Sequence, residues 1–130
     1  MDMNRSLLGL GALLAAIAVL LGAFGAHGLN GKIPAESLVS FKTGVTYQFY
    51  HALALLFCSL LEDKLPAKAL RRMGWLFGIG ILCFSGSIYL LSTRELTGWN
   101  LSFVGPITPI GGLLFISGWI SLLFSAFRRN

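Results

Sequence analysis

Four long runs without a charged side chain constrain this sequence more than any other feature. They cover residues 6–29, 43–61, 73–93 and 107–127. Each is close to the roughly 20 residues that an apolar helix needs to cross the hydrocarbon core of a bilayer. With 55% hydrophobic and only 12% charged residues, the chain lies outside the range of ordinary soluble domains. The pattern predicts an all-α integral membrane protein: one domain, residues 1–130, folded as a four-helix bundle that runs up-down-up-down.

Small residues recur at helical spacing along two of these runs. The third run carries Gly74 and Gly78 four positions apart. The first run has five small residues on one face: Gly11, Ala15, Ala18, Gly22 and Ala26. Small side chains let helices approach closely, which drives helix association in lipid. We therefore predict tight helix packing, with the bilayer as the main partner. We also expect these faces to contact a second copy or another membrane protein.

The basic residues predict an orientation. Ten Lys and Arg against five Asp and Glu give a net charge of +5. We expect no nucleic-acid partner, because the chain has no basic stripe with interleaved aromatic residues. Basic residues instead collect in cytoplasmic loops of membrane proteins. After four crossings, Lys32, Lys42 and Arg94 lie on one side, and the other side carries seven basic residues: Arg5, Lys64, Lys68, Arg71, Arg72, Arg128 and Arg129. This count places both termini in the cytoplasm.

The second run is unusual because polar side chains crowd its first half. Six of them lie within nine residues: Thr43, Thr46, Tyr47, Gln48, Tyr50 and His51. In hydrocarbon an unpaired polar group costs several kcal/mol, so we expect these groups to face other helices or a small wet cavity. In a helix, Gly44, Gln48, His51 and Leu55 form one row. Thr43, Tyr47, Tyr50, His51 and Ala54 form the adjacent face, so His51 lies where the two meet.

Two hypotheses remain open for His51. A histidine within a membrane span is a candidate functional residue, yet it can also be a satisfied knot of interhelical hydrogen bonds. We expect it to be neutral and buried against the first or third helix, with Gln48 or a tyrosine hydroxyl in the same cluster. His27 is expected to bond a carbonyl or hydroxyl at the membrane interface. The predicted buried polar cluster comprises His27, Thr43, Tyr47, Gln48, Tyr50 and His51.

The residues that catalysis or metal binding usually require are missing from the runs. None contains Asp, Glu, Lys or Arg, which removes the carboxylate relay common in transporters. There is no Ser-His-Asp set, no carboxylate pair and no CxxC or HExxH motif. Cys58 and Cys83 are expected to be free thiols inside the apolar runs. We therefore expect no enzyme activity, no metal site and no cofactor.

Four stretches of the chain together resemble the YgdD/YwdK-type family of small bacterial inner-membrane proteins. They are LGAFGAHGL at 21–29, TGVTYQFYHALALL at 43–56, FSGSIYLL at 84–91, and ITPIGG with SGW at 107–112 and 117–119. The resemblance covers nearly the whole chain and implies four transmembrane helices in the inner membrane. It implies no reaction, substrate or cofactor. The family's polar motif positions correspond here to His27, Thr43, Tyr47, Gln48 and His51.

Two classes of function compete at this point. The absence of charge from the runs favours a structural or interaction component that packs or self-associates through its small-residue faces. The alternative is a channel, transporter or ligand-binding protein for a small solute. Such a protein would use the polar face formed by Tyr47, Gln48, Tyr50 and His51.

Overall fold

Helices and short connections account for residues 2–128, which are the residues described by a computed structural model of the chain. Met1, Arg129 and Asn130 lie outside the described residues. The predicted domain includes all three, and the count of basic residues includes Arg129. No strand occurs between residues 2 and 128. The predicted all-α class is therefore confirmed.

Four long helical segments dominate the fold. Two are the uninterrupted helices α1 (Met3–His27) and α2 (Ala35–Ser59). The third joins α3 (Ala67–Ile81), a π-helical turn (Leu82–Gly86) and α4 (Ser87–Ser92) into one continuous rod. The short helix α5 (Arg94–Thr97) and a 3₁₀ turn (Ser102–Val104) lead to the fourth segment, α6 (Ile107–Phe127).

Local sequence explains where these helices begin and end. The Asp2 carboxylate accepts a hydrogen bond from the backbone N–H of Asn4 and caps α1. Pro34 and Pro66 lie immediately before α2 and α3, where a missing N–H costs nothing. Gly98 ends α5 with a φ of 69°, a left-handed conformation that glycine adopts readily.

Three segments are long and apolar enough to cross a membrane by length and composition. In residues 2–128 they are Met3–His27, Ala67–Ser92 and Ser102–Phe127. Helix α2 has a similar length but is not among them, because the polar residues in its first half lower its mean hydropathy. The described residues therefore contain four long helical segments, of which three qualify as spans on their own.

Helices α1 and α2 pack closely along a line of small residues. A Cβ added to Gly11 would lie 2.9 Å from the Ala52 carbonyl, and one added to Gly25 would lie 2.9 Å from the Phe41 ring. Early positions of α1 therefore meet late positions of α2, so the two helices are antiparallel. Ala18, on the same face, is fully buried. This position is therefore used for packing within the chain.

The α3–α6 interface consists of aromatic rings seated on glycines. Phe77 packs on Gly118, where an added Cβ would lie 2.5 Å from the ring. Phe115 packs on Gly80 in the same way, with a distance of 2.7 Å. Both rings are buried and belong to the main core, together with Leu55 on α2. The interior of the bundle is thus filled by aromatic and aliphatic side chains.

Candidate functional site

The structure divides the predicted polar cluster into a buried pair and an exposed set. Gln48 and His51 are only 3% and 4% exposed. Tyr47 and Tyr50 are 41% and 57% exposed. Thr43 and His27 are exposed as well. Of the six residues expected to be buried together, the fold therefore buries Gln48 and His51 alone.

Helical periodicity explains this division. The row that contains Gly44, Gln48, His51 and Leu55 faces the other helices, and all four residues are buried. On the adjacent face, Thr43, Tyr47 and Tyr50 are exposed, whereas His51 and Ala54 are buried. The hydroxyl groups of this face need no second helix, because a threonine can donate to the carbonyl one turn earlier. Thr43 Oγ1 donates in this way to the Val39 carbonyl at 3.1 Å.

His51 has a hydrogen-bond partner on each ring nitrogen. Its Nδ1 lies 2.7 Å from the Tyr47 carbonyl oxygen one turn earlier. Its Nε2 lies 3.1 Å from the indole nitrogen of Trp119 on α6. An indole N–H only donates and a carbonyl only accepts. The two partners therefore assign the neutral tautomer with the proton on Nδ1, in which Nε2 is the acceptor.

Aromatic rings surround the His51 imidazole. It stacks on Phe115 of α6, with ring centroids 3.5 Å apart and planes inclined by 6°. Phe77 of α3 lies against it at 5.7 Å, and Tyr47 stacks at 6.1 Å. The imidazole of α2 therefore contacts side chains of α3 and α6, and both of its nitrogens have a hydrogen-bond partner. It is arranged as a structural connector between α2, α3 and α6.

Gln48 connects α2 to two other helices. Its Nε2 donates to the Leu14 carbonyl of α1 at 2.8 Å, and its Oε1 accepts from the Tyr89 hydroxyl of α4 at 2.6 Å. The Leu14 carbonyl can only accept a hydrogen bond, so the side-chain nitrogen of Gln48 must face it. This assigns the orientation of the Gln48 amide. The Tyr89 ring in turn packs against Phe41, with centroids 5.0 Å apart. Both ends of the Gln48 amide are therefore satisfied.

The π-helical turn at Leu82–Gly86 adds a third polar contact to the same row. Ser85 is fully buried and donates from Oγ to the Gly44 carbonyl at 2.6 Å. A Cβ on Gly44 would lie 2.9 Å from the Tyr89 ring, so glycine permits this approach. The contact joins α2 to the middle of the α3–α4 rod.

His27 does not join this cluster. It occupies the last turn of α1, near Gly25, which packs on Phe41. Phe41 precedes His51 by ten positions, about 15 Å along α2 at 1.5 Å per residue. In the described part of the chain, no group of three or more His, Cys, Asp or Glu residues could hold a metal ion. The two histidines do not form a shared site.

Two partners of the buried pair were not identifiable from sequence. Trp119 is 68 positions from His51, and Tyr89 is 41 positions from Gln48. The polar ends of Trp and Tyr do require partners when they are buried. That requirement was the one available signal, and it does not identify which helix supplies the partner.

A chemically active site needs an open position, and this arrangement offers none at Gln48 or His51. Both residues use their hydrogen-bonding groups on fixed partners within the fold. Cys58 is a buried free thiol and Cys83 a half-buried one, as expected. The cluster therefore supports helix association more directly than it supports binding or transfer of a solute.

Comparison with known sequences agrees with a membrane location. The family described as "Protein of unknown function (DUF423)" matches residues 21–112. The chain is 48% identical over 120 residues to UPF0382 membrane protein YwdK of Bacillus subtilis, an alignment that covers 92% of this chain and 94% of that protein. It is 45% identical over 119 residues to UPF0382 membrane protein SAB0533 of Staphylococcus aureus, with 92% and 93% covered. No solved structure matches the chain.

Proposed function

The chain belongs to the DUF423 family of membrane proteins of unknown function, and from this premise we propose that it is a structural and interaction component of the bacterial inner membrane. Its role is to pack against a second copy of itself in the bilayer. In this role the protein does not act as an enzyme. The observation that carries it is the filled interior, in which Phe77 and Phe115 close the space around the satisfied pair Gln48 and His51.

The membrane arrangement is part of this proposal. Four segments cross the bilayer up-down-up-down, with α2 as the crossing whose polar residues are sheltered by its neighbours. The antiparallel contacts of α1 with α2 and of α3 with α6 support this path. Helix α2 can cross despite its polar groups, because Gln48 and His51 are paired inside the bundle. Both termini lie in the cytoplasm, as the basic residues indicate.

The surface proposed for self-association is an open groove between α1 and α3. Its volume is about 390 Å³. Its walls are almost entirely apolar, and they include Leu7, Leu10, Gly74, Trp75 and Gly78. The Trp75 ring is largely exposed at the rim. Gly74 is already covered by Leu7 of α1, whereas Gly78 is partly open, so a helix of a second copy can approach the groove at Gly78.

Space at Gly78 allows this surface to be tested without disturbing the fold. A Cβ at Gly78 would meet nothing closer than 3.9 Å, whereas one at Gly74 would lie 2.7 Å from Leu7. Gly78→Leu therefore fills the groove while the bundle remains folded. Gly9→Leu is the matched control, because Gly9 has nothing within 4 Å of its added Cβ and does not line the groove.

Crosslinking in native membranes, combined with native mass spectrometry of the detergent-solubilised protein, tests the proposal. We expect a dimer for the natural chain and for Gly9→Leu, and a monomer for Gly78→Leu. A dimer that persists in Gly78→Leu would exclude this groove as the interface. A natural chain that is monomeric in both measurements would contradict self-association altogether.

A further inference from the structure

A small basic pocket lies where the start of α3 meets the end of α6. Its volume is about 230 Å³. Six residues line it: Pro66, Lys68, Ala69, Arg72, Ser125 and Arg128. Three of these carry a positive charge and none carries a negative charge. The pocket therefore concentrates positive potential at one end of two long apolar helices.

Arg72 is bound to α6 through its side chain. Its Nε donates to the hydroxyl of Ser121 on α6 at 2.8 Å, and Ser121 is itself buried. This bond fixes the plane of the guanidinium and leaves its terminal nitrogens uncommitted to Ser121. A planar guanidinium is well suited to bind phosphate oxygens through two parallel hydrogen bonds. Arg72 is thus positioned before any ligand arrives.

Ser125 provides an independent indication that the pocket takes a ligand. Its side chain is buried, with 5% of the residue exposed, yet it lines the pocket. Within residues 2–128 its hydroxyl makes no hydrogen bond. Ser125 lines the pocket, so this hydroxyl is available to a ligand there. A hydroxyl facing three cations is suited to donate to an oxygen of a bound anion.

The first turn of α3 adds to the same preference. Pro66 precedes the helix and provides no side-chain cap. The N–H groups at the beginning of a helix carry a partial positive charge and lack helical partners. Here they lie beside Lys68 and Arg72. The helix end and the two side chains therefore all favour a negatively charged ligand.

We propose that this pocket binds a phosphate group, carried either by the headgroup of an anionic phospholipid or by a soluble phosphate. Basic pockets between transmembrane helices at the cytoplasmic side are suited to anionic lipid headgroups. The pocket lies on the side that the basic residues assign to the cytoplasm. It lies between α3 and α6, whereas the self-association groove lies between α1 and α3. The pocket proposal therefore does not rest on self-association, and only its cytoplasmic placement rests on the proposed function.

Titration of the full-length protein, followed by native mass spectrometry, tests the proposal. The probes are phosphatidylglycerol, phosphatidylcholine with the same acyl chains, and inorganic phosphate. The variants are Ser125→Ala and the triple change Lys68→Gln, Arg72→Gln, Arg128→Gln. Lys64→Gln is the matched control, because Lys64 is a basic residue of the same loop that does not line the pocket. Circular dichroism verifies that each variant keeps its helical content.

We expect the triple variant to bind the phosphate-bearing probe on the order of a hundredfold more weakly, at about fivefold per basic residue removed. Ser125→Ala should weaken binding roughly threefold, an effect that net charge cannot cause. Tight binding of phosphatidylglycerol with weak binding of inorganic phosphate identifies a lipid headgroup, and the reverse identifies a soluble phosphate. If Ser125→Ala and the triple variant bind phosphatidylglycerol and inorganic phosphate as tightly as Lys64→Gln does, the pocket is not a phosphate site.

Discussion

The indole N–H of Trp119 on α6 donates to Nε2 of His51 on α2 at 3.1 Å, across 68 positions of sequence. Because the other imidazole nitrogen is bound to the Tyr47 carbonyl, this bond leaves His51 with no unused polar atom. The histidine of the second apolar run thereby becomes part of the packing between helices.

A double-mutant cycle on this pair measures its contribution to stability. Trp119→Phe removes the donor and leaves Nε2 unpaired, while His51→Phe retains a ring against Phe115 and removes the acceptor. We expect each single change to lower the free energy of unfolding by about 1 kcal/mol. The coupling energy should be about 0.6 to 1.7 kcal/mol, the range of interhelical hydrogen bonds in membranes. Unfolding in mixed micelles gives these values, and a coupling of zero would contradict the bond.

Tyr89→Phe tests the corresponding bond to Gln48. The change removes the hydroxyl that donates to Gln48 Oε1 and leaves that oxygen unpaired inside the bundle. We expect a loss of about 1 kcal/mol in the free energy of unfolding. Tyr50→Phe is the control, because Tyr50 is exposed and its hydroxyl has no partner within residues 2–128. Equal stability of the two variants would show that the Gln48 contact contributes nothing.

Gly118→Ala tests the seating of aromatic rings on glycines. The added methyl group would lie 2.5 Å from the buried Phe77 ring, so α3 and α6 must separate. Overpacking of this kind costs about 1 to 3 kcal/mol. Gly9→Ala, in open space on α1, should be neutral or slightly stabilising, since alanine is the better helix former. Thermal unfolding in detergent compares the two variants. An unchanged melting temperature for Gly118→Ala would contradict the close approach of α3 and α6.

These contacts also show which features a single sequence determines. Helical spacing placed Gly44, Gln48, His51 and Leu55 in one row, and this row is the buried one. Small residues on the first run indicated its close contact with another helix, which Gly11 and Gly22 make with α2. Both inferences depend only on the geometry of one helix. That geometry follows from the order of residues within the segment.

The remaining features depend on how separate segments meet. Spacing within α2 cannot reveal that Trp119 and Tyr89 supply the partners of the buried pair. The exposure of Tyr47 and Tyr50 depends on which of two adjacent faces the neighbouring helices cover. The π-helical turn at Leu82–Gly86 has no signal of its own in a run of apolar and small residues. Periodicity therefore located the polar side chains but not their partners.

Reporter fusions test the proposed orientation. A reporter that is active only in the cytoplasm, fused after Asn130, should be active, and one that requires export should be silent. The physical reason is the excess of basic residues on the side of the termini, seven against three. Fusions in the connection at residues 30–33 should give the opposite pattern. Strong activity of the exported reporter after Asn130 would contradict the orientation.

The most direct test of the filled interior is solute flux into liposomes that contain the purified protein. Stopped-flow light scattering can compare water, urea and glycerol in proteoliposomes and in protein-free liposomes. We predict equal rates, because Phe77, Phe115, Gln48 and His51 leave no continuous polar path between the helices. A rate raised several-fold for one solute, and abolished by His51→Gln in a protein that remains folded, would contradict the structural role proposed here.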